Sequence, residues 1–513
     1  MKPMKNQKSK IESIRNRSCF SLLFSFVIVS PMIAADPKPA AELKQIMPER
    51  QPLSTVAAQP APAPLVDAAE SRDWPLVAKL LKQDIDADQS QADGMTALHW
   101  AVYHNDSQAV ATLLAKKANV NATTRYQITP LAIACTQMQT STLLALLEAG
   151  AEVDFRSPGG ETPLMIASRT GNAGAVQQLL AHKASHQATD RNNQTALMWA
   201  AAAGNSETVD ALILAGADLN AASSSGLTAM MFASRDGHIN VARRLIASGV
   251  DVNAVIDSTK KGERVARDKT SALIFAVESG HYELAMELVS AGADPNDQRN
   301  GFTPLHVISW VRKPNSGDDP SGDPPPRGSG NLSDLQFVRA IVVAGADVNA
   351  RLKSGSGGRA ILNPKGATPL LYAARTADVP LMKVLVELDA DPLIPNSEGA
   401  TPLMAAAGVG VRAVNEEAGT EPEVVEAVDY LVSLGADVNT IDDNQETAMH
   451  GAAYRNFPLV VSRLAHHGAN SKSWDHKNNS GWTPIMIAQG KRPGSFKPSP
   501  ETVAAFQAAL KHP

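Results

Sequence analysis

Thr96, Thr129, Thr162, Thr195 and Thr228 stand 33 residues apart, and each opens a similar phrase. The most regular copies run GETPLMIASRTGNAGAVQQLL from Gly160, NQTALMWAAAAGNSETVDALILAGADLNA from Asn193 and GLTAMMFASRDGHINVARRLIASGVDVNA from Gly226. Counted by the Thr position, the register starts at Ala63. It continues beyond Thr228 at Ser271, Thr303, Thr368, Thr401, Thr447 and Thr483, which makes twelve units, the outer two acting as caps. A fixed period of this length means one supersecondary unit copied in tandem, none of which buries its apolar face without a neighbour. At 513 residues the chain is too long for one core but natural for an array that grows by addition.

Each unit reads as two short helices and a turn. Thr accepts from the free amides of the first helix, and Pro suits the next position, as in Thr129-Pro130, Thr162-Pro163 and Thr303-Pro304. Small residues such as Ala200 and Ala201 let neighbouring helices approach. The second helix carries apolar residues at helical spacing, as in Val209, Leu212 and Ile213. It is expected to end 21 places after the Thr, at Gly150, Gly216, Gly249, Gly292 and Gly468, where a left-handed backbone suits glycine. Lys117, Lys183 and Asp389 depart from Gly there, so those units are expected to be locally weaker. The phrase that follows, such as Asp218-Leu219-Asn220, begins a hairpin finger between units. Period and phrase together resemble the ankyrin repeat family. The resemblance implies an all-α repeat solenoid of tandem helix-turn-helix units with projecting β-hairpin fingers.

Residues outside the period are different material. Lys2, Lys5, Lys8, Lys10, Arg15 and Arg17 precede the apolar run CFSLLFSFVIVSPMIAA. Residues 1–35 therefore read as a secretory signal cleaved near Ala34 or Ala35. The run has 17 residues and contains Pro31, which is marginal for a spanning helix; membrane association is expected only if the signal stays uncleaved. Residues 36–62, with six prolines, read as a flexible linker, 63–490 as the array and 491–513 as a C-terminal capping segment. In that segment Ser499-Pro500-Glu501 reads as a helix start, with Val503, Phe506 and Leu510 on one face. The signal's six cations and Glu12 contribute +5, so the chain's formal charge of −5 becomes −10 without it. That disfavours nucleic acid as a partner. Cys135 would remain as the only thiol, so stability must come from packing.

Four insertions break the period. Residues 255–269 and 351–366 extend fingers and are basic: Lys260, Lys261, Arg264, Arg267 and Lys269 in one, Arg351, Lys353, Arg359 and Lys365 in the other. Residues 311–333 and 410–422 fall between the two helices of their units, on the edge away from the fingers, and carry Asp318, Asp319, Asp323, Glu416, Glu417 and Glu421. The Pro/Gly-rich 311–333 reads as disordered.

The search for chemistry returns scaffold positions. His99, His306 and His450 occupy the fourth position of the phrase, where the ankyrin resemblance implies a hydrogen bond within the repeat. His466-His467 lack the spacing that converges metal ligands, and Cys135 reads as a buried, inert thiol. No Gly-rich phosphate loop, nucleophile elbow or haem-attachment motif is present, so no catalysis, cofactor or metal is expected.

What remains is surface. The resemblance implies a concave binding face made by fingers and first helices. Residues seven places after the Thr are expected to be exposed there: Tyr103, Arg169, Arg235, Trp310, Arg375 and Tyr454. These types are enriched at interface hot spots. Ala202 and Glu278 in the same column fit a merely solvated face equally well. Finger residues Arg125, Tyr126, Phe155 and Arg156 extend the candidate face. Trp100, Trp199, Phe232, Phe275 and Tyr372, at the fourth place, read as packing between helices rather than as an aromatic groove. The expected function is an exported, monomeric, noncatalytic scaffold, periplasmic or extracellular, that recognises another protein carrying an acidic patch. Two other readings stand beside it. One is a secreted host-directed effector. The other is an accessory subunit of an exported oxidoreductase complex, because GWTPIMIAQGKRPGSFKPSPETVAAF loosely resembles the ends of exported bacterial ankyrin proteins that accompany redox proteins.

Overall fold

The structure, a computed structural model, describes residues 63–83, 85–137, 140–257, 268–314, 325–355, 362–411, 414, 417–492 and 497–511. The chain divides into two units, Met1–Pro60 and Ala61–Pro513, and the second holds all of the described residues. The expected signal at 1–35 and linker at 36–62 lie outside them, as do Lys260, Lys261, Arg264, Arg267 and Arg359.

All twelve periods are helix pairs. They run from Pro64–Glu70 with Trp74–Leu80, through Ala196–Ala203 with Ser206–Leu214, to Pro484–Ala488 with Pro500–Lys511. One further short helix, Ser471–Trp474, buries Trp474 against Phe506, with ring centroids 5.5 Å apart. Among the described residues the fingers are held by turns and isolated antiparallel bridges, such as Thr189 with Thr195 and Val255 with Ser271. No described helix is long and apolar enough to cross a membrane.

The repeat phrase is legible as hydrogen bonds. Thr162, Thr195, Thr228, Thr368 and Thr401 each accept from the amide three residues on, closing the first turn. Where that third residue is His, the imidazole takes over part of the task. His99 and His306 also tie two units together, whereas His450 meets Thr447 but its Nε2 has no hydrogen-bond partner among the described residues. His99 Nδ1 accepts from the Thr96 amide at 3.2 Å, and its Nε2 donates to Ile128 O of the next unit at 3.0 Å. His306 does the same with Thr303 Oγ1 (2.7 Å) and Ala367 O (3.2 Å). Burial holds both imidazoles neutral, pushing His306 down to about 4. Burial also pushes the Cys135 thiol up, so it stays protonated.

Ala200, Ala201, Val209 and Leu212 are fully buried, as the helical spacing predicts. Gly150, Gly216, Gly249, Gly292 and Gly468 end their helices at φ between 83° and 97°. Lys117, Lys183 and Asp389 are forced into the same left-handed region, at φ 61°, 67° and 69°. The Asn that ends the turn phrase has a role the sequence reading assigned only to the turn. Asn253 Nδ2 donates to Gly292 O (2.9 Å), and its Oδ1 accepts from the Asp294 amide (3.1 Å), one unit further on. Asn296 and Asn349 repeat both bonds, so the fingers form a ladder of side chains along the array. At the C-terminal end Ser499 caps the last helix and Phe506 is buried, whereas Leu510 stays 36% exposed.

The insertions between helices are not all alike. The described part of 311–333 lies on the edge away from the fingers and is docked: Ser329 donates to His281 Nδ1 at 2.9 Å and the Asn331 amide to Glu283 at 2.7 Å. Residues 315–324 of that insertion lie outside the described residues. The insertion at 410–422 departs from its expected place. Gly410 lies against Leu362 of a finger insertion, and Val411 O accepts from Arg492 at 3.2 Å. Its first residues therefore reach the finger side of the array instead of staying on the opposite edge.

Candidate protein-binding groove

Position seven of each first helix is the column expected to meet a partner, and Tyr103, Arg169, Arg235, Trp310 and Arg375 are half-buried there. In the N-terminal two thirds it is lined by rings and cations. Tyr103 is half-buried edge-on to Trp100, with centroids 5.6 Å apart. Arg169 lies over the Trp199 ring at 5.0 Å and Arg235 over Phe232 at 5.1 Å. Trp310 packs edge-on to Phe302 (4.9 Å) and Tyr372 (6.2 Å). Such cation–ring stacks hold a guanidinium flat while leaving its edge able to donate.

The fingers add to the same side. Arg125 lies over Tyr126 at 5.0 Å and donates to its hydroxyl at 2.8 Å; Tyr126 is 61% exposed. Arg156 is exposed but spends one donor on Thr189 O (2.7 Å), and Phe155 beside it is half-buried. In the second finger insertion Lys353 is exposed. Arg351, also exposed, donates to Gly366 O (3.1 Å) and Pro395 O (2.9 Å), so it fastens its own finger to the next.

The fourth-place column is packing, as its spacing suggests: Trp100, Phe232, Phe275 and Tyr372 are buried and Trp199 half-buried. Trp199 Nε1 is shielded from solvent without a hydrogen-bond partner.

Tyr454 corrects the expectation of a face that is open along its whole length. Only 1% of it is exposed. Its hydroxyl donates to Glu446 and receives Asn478 Nδ2 at 2.9 Å, while the Arg492 guanidinium covers its ring at 4.5 Å. Burial pushes the Tyr454 hydroxyl and the Glu446 carboxyl up, so both favour their neutral forms. Arg492, which covers the ring, also donates to Val411 O, so the start of the 410–422 insertion is tied to the same cluster. Val409, Val411, Glu417 and Ala418 are buried, and Arg455 donates to the carbonyls of Glu417 (3.0 Å), Ala418 and Gly419. Arg455 is itself 1% exposed, and burial lowers it to about 10. Arg375, half-buried, donates to the Glu417 carboxylate, so its charge is already neutralised within the chain. The C-terminal stretch of the groove is thus filled by the protein's own strap.

Glu446, Arg455, Asn478 and Arg492 had no signal in the repeat pattern. They are polar residues whose partners lie mostly 24 to 81 residues away, the exception being Glu446 with Tyr454, eight residues on. Among the described residues no group of three His, Cys, Asp or Glu side chains is placed to hold a metal ion.

Comparison with known proteins agrees with this architecture. The model for ankyrin repeats in three copies matches residues 65–157, 139–223, 164–256 and 418–495. The single-repeat ankyrin model matches 268–300 and 365–397. Among curated proteins, the chain is similar to neurogenic locus notch homolog protein 1 of Xenopus tropicalis and of Homo sapiens. Each is 34% identical over 144 residues, which cover 24% of this chain and 6% of that protein. The chain therefore spans a small fraction of these relatives, and the likeness extends to a run of repeats. Ankyrin repeats build protein-interaction scaffolds that are typically noncatalytic. Since the three-copy model alone matches more than half of its residues, this chain belongs to the ankyrin repeat family.

Proposed function

We propose that the protein is an exported, noncatalytic scaffold that binds another protein on the open part of its concave face, helped by the basic finger insertion at 255–269. The supporting observation is the contrast along one groove. Over the N-terminal units Tyr103, Arg169, Arg235 and Trp310 line a face on which Tyr126 is exposed. Over the C-terminal units the equivalent Tyr454 is covered by the chain itself. Aromatic and arginine side chains at modest entropic cost suit a binding surface, and cations on the fingers favour a partner with an acidic patch. Arg351 contributes less than its charge implies, because its guanidinium is tied to two backbone carbonyls. Export rests on the basic lead and apolar run in residues 1–35.

Crosslinking and pull-down from the exported fraction, with the full chain and two variants, tests this. Ala202→Trp fills the open groove; reversing Lys260, Lys261, Arg264 and Arg267 removes the basic finger. The expected result is a partner whose capture Ala202→Trp abolishes and charge reversal weakens most at low salt. A partner captured equally by the wild type and by Ala202→Trp would overturn the groove reading. Unchanged salt dependence after charge reversal would overturn the finger's part, and confinement of the chain to the cytoplasm would overturn export.

A further inference from the structure

Three arginines share the seventh position, and two have carboxylates of their own. Arg235 pairs with Asp236 at 2.9 Å, and Arg375 with Glu417. Arg169 has none. Among the described residues its guanidinium makes no hydrogen bond or ion pair, although it is half-buried on Trp199 and burial lowers its pKa. Glu161 acts on it through space, but that carboxylate is engaged by Ser157 Oγ. The N–H donors of Arg169 form a fixed fork, meet no acceptor among the described residues and are open to a ligand.

The fold itself displays the ligand chemistry that suits this column. At Arg375 the occupant is a strap from the same chain. It offers the Glu417 carboxylate to Arg375, backbone carbonyls to Arg455 and Arg492, and Val409 and Val411 to the apolar wall. Among the described residues, none forms a hydrogen bond or ion pair with the Arg169 guanidinium. The next residue of the column, Ala202, is small and half-buried, leaving room beside the Trp199 ring.

We infer that Arg169, held over the Trp199 ring, is a carboxylate socket that receives an Asp or Glu side chain from an extended segment of the partner protein, as Arg375 receives Glu417. This rests on the open-groove reading above and specifies its chemistry. A guanidinium on an aromatic face presents its edge for two parallel bonds to a carboxylate, which a lysine at this position would not reproduce.

The probe is a fluorescein-labelled peptide with the sequence of residues 409–419, VGVRAVNEEAG, titrated by anisotropy into the full chain at low salt. Binding is expected, and it should weaken at least tenfold when both peptide glutamates are changed to Gln. It should weaken to a similar degree in Arg169→Gln and only partly recover in Arg169→Lys. Arg169→Gln should melt close to the wild type, because the side chain makes no hydrogen bond or ion pair among the described residues and loses only its stack on Trp199. Absence of binding at millimolar peptide, or equal affinity of wild type and Arg169→Gln, would overturn the socket. A partner still excluded by Ala202→Trp would then leave the groove reading standing. Self-association of the full chain that Arg169→Gln abolishes would assign the socket to a second copy and overturn a foreign partner.

Discussion

Arg375 and Glu417 are 42 residues apart in the chain, yet the guanidinium of one donates to the carboxylate of the other, and only 3% of the Glu417 side chain is exposed. This pair anchors the strap that closes the C-terminal groove, and so separates a structural part of the concave face from an open one. A carboxylate this dry is stable as a charge only while paired. Glu417→Gln should therefore destabilise the strap. The loss is expected at about 1–3 kcal/mol, below the figure for fully buried pairs because Arg375 keeps some solvent. Hydrogen exchange of residues 409–420 should accelerate while that of the Pro163–Thr170 helix is unchanged; equal protection in both variants would contradict the anchoring role.

The three left-handed non-glycine residues are sites where stability can be raised. Nothing lies within 4 Å of a side chain built at the equivalent Gly150, Gly216 or Gly249, so the cost at Lys117, Lys183 and Asp389 is backbone strain alone. Replacing each by Gly relieves roughly 1 kcal/mol of left-handed strain, partly offset by the freer unfolded chain. Lys117→Gly, Lys183→Gly and Asp389→Gly should each raise local stability by about 0.5 kcal/mol, and Gly216→Lys should lower it by as much. Urea titrations of the variants check this, and a destabilising Lys183→Gly would refute it.

The finger ladder makes a separate prediction. Asn253 joins its unit to the next with two hydrogen bonds that are exposed to solvent. Asn253→Ala should cost about 1–2 kcal/mol of coupling between the two units. Asn253→Asp should retain the accepted bond and lose the donated one, with an intermediate effect. Denaturation curves that split into two transitions would reveal the uncoupling.

Two groups near Tyr454 respond to pH with opposite sign. Burial pushes His450 down to about 3, from an ordinary value near 6.5. Its contribution is fully present above pH 6.5 and is lost as pH falls from there toward 3. His306 behaves likewise toward 4, and each such histidine is worth on the order of 3 kcal/mol at neutral pH. Asp442 is the reverse case. Burial and the nearby Glu446 raise it to about 7, and its Oδ2 has no hydrogen-bond partner. Its contribution is present below its unfolded value of 3.8 and is lost as pH rises to 7. Asp442→Asn should therefore melt higher than wild type at pH 8 and no higher at pH 4. An equal gain at both values would rule out titration of Asp442 as the cause.

Much of this molecule could be read from spacing. The Thr caps, the buried Ala and Leu positions, the left-handed Gly and the histidines that hold Thr96 and Thr303 all follow from one unit considered with its neighbour. Nearest-neighbour packing makes that possible, because each unit's environment is another copy of itself. The stack of Arg169 on Trp199 is of the same kind, with partners one repeat apart. Its meaning was hidden, since the pattern says where an arginine stands and not whether anything in the chain neutralises it.

By itself, then, the sequence determined that the chain is an all-α array of ankyrin repeats, with each first helix opened by its Thr. It could not determine which part of the concave face is open. Tyr454 occupies the same period position as Tyr103, yet one is buried and the other half-exposed. Tyr454 is covered by Glu446, Asn478 and Arg492, and where the period breaks Val411 and Glu417 are held by Arg492, Arg455 and Arg375. Such contacts depend on where an irregular loop finds hydrogen-bond donors and apolar walls in three dimensions. No repeating pattern encodes that, so only the tertiary structure decided that Arg375 and Arg455 are satisfied within the chain, while Arg169 makes no ion pair among the described residues.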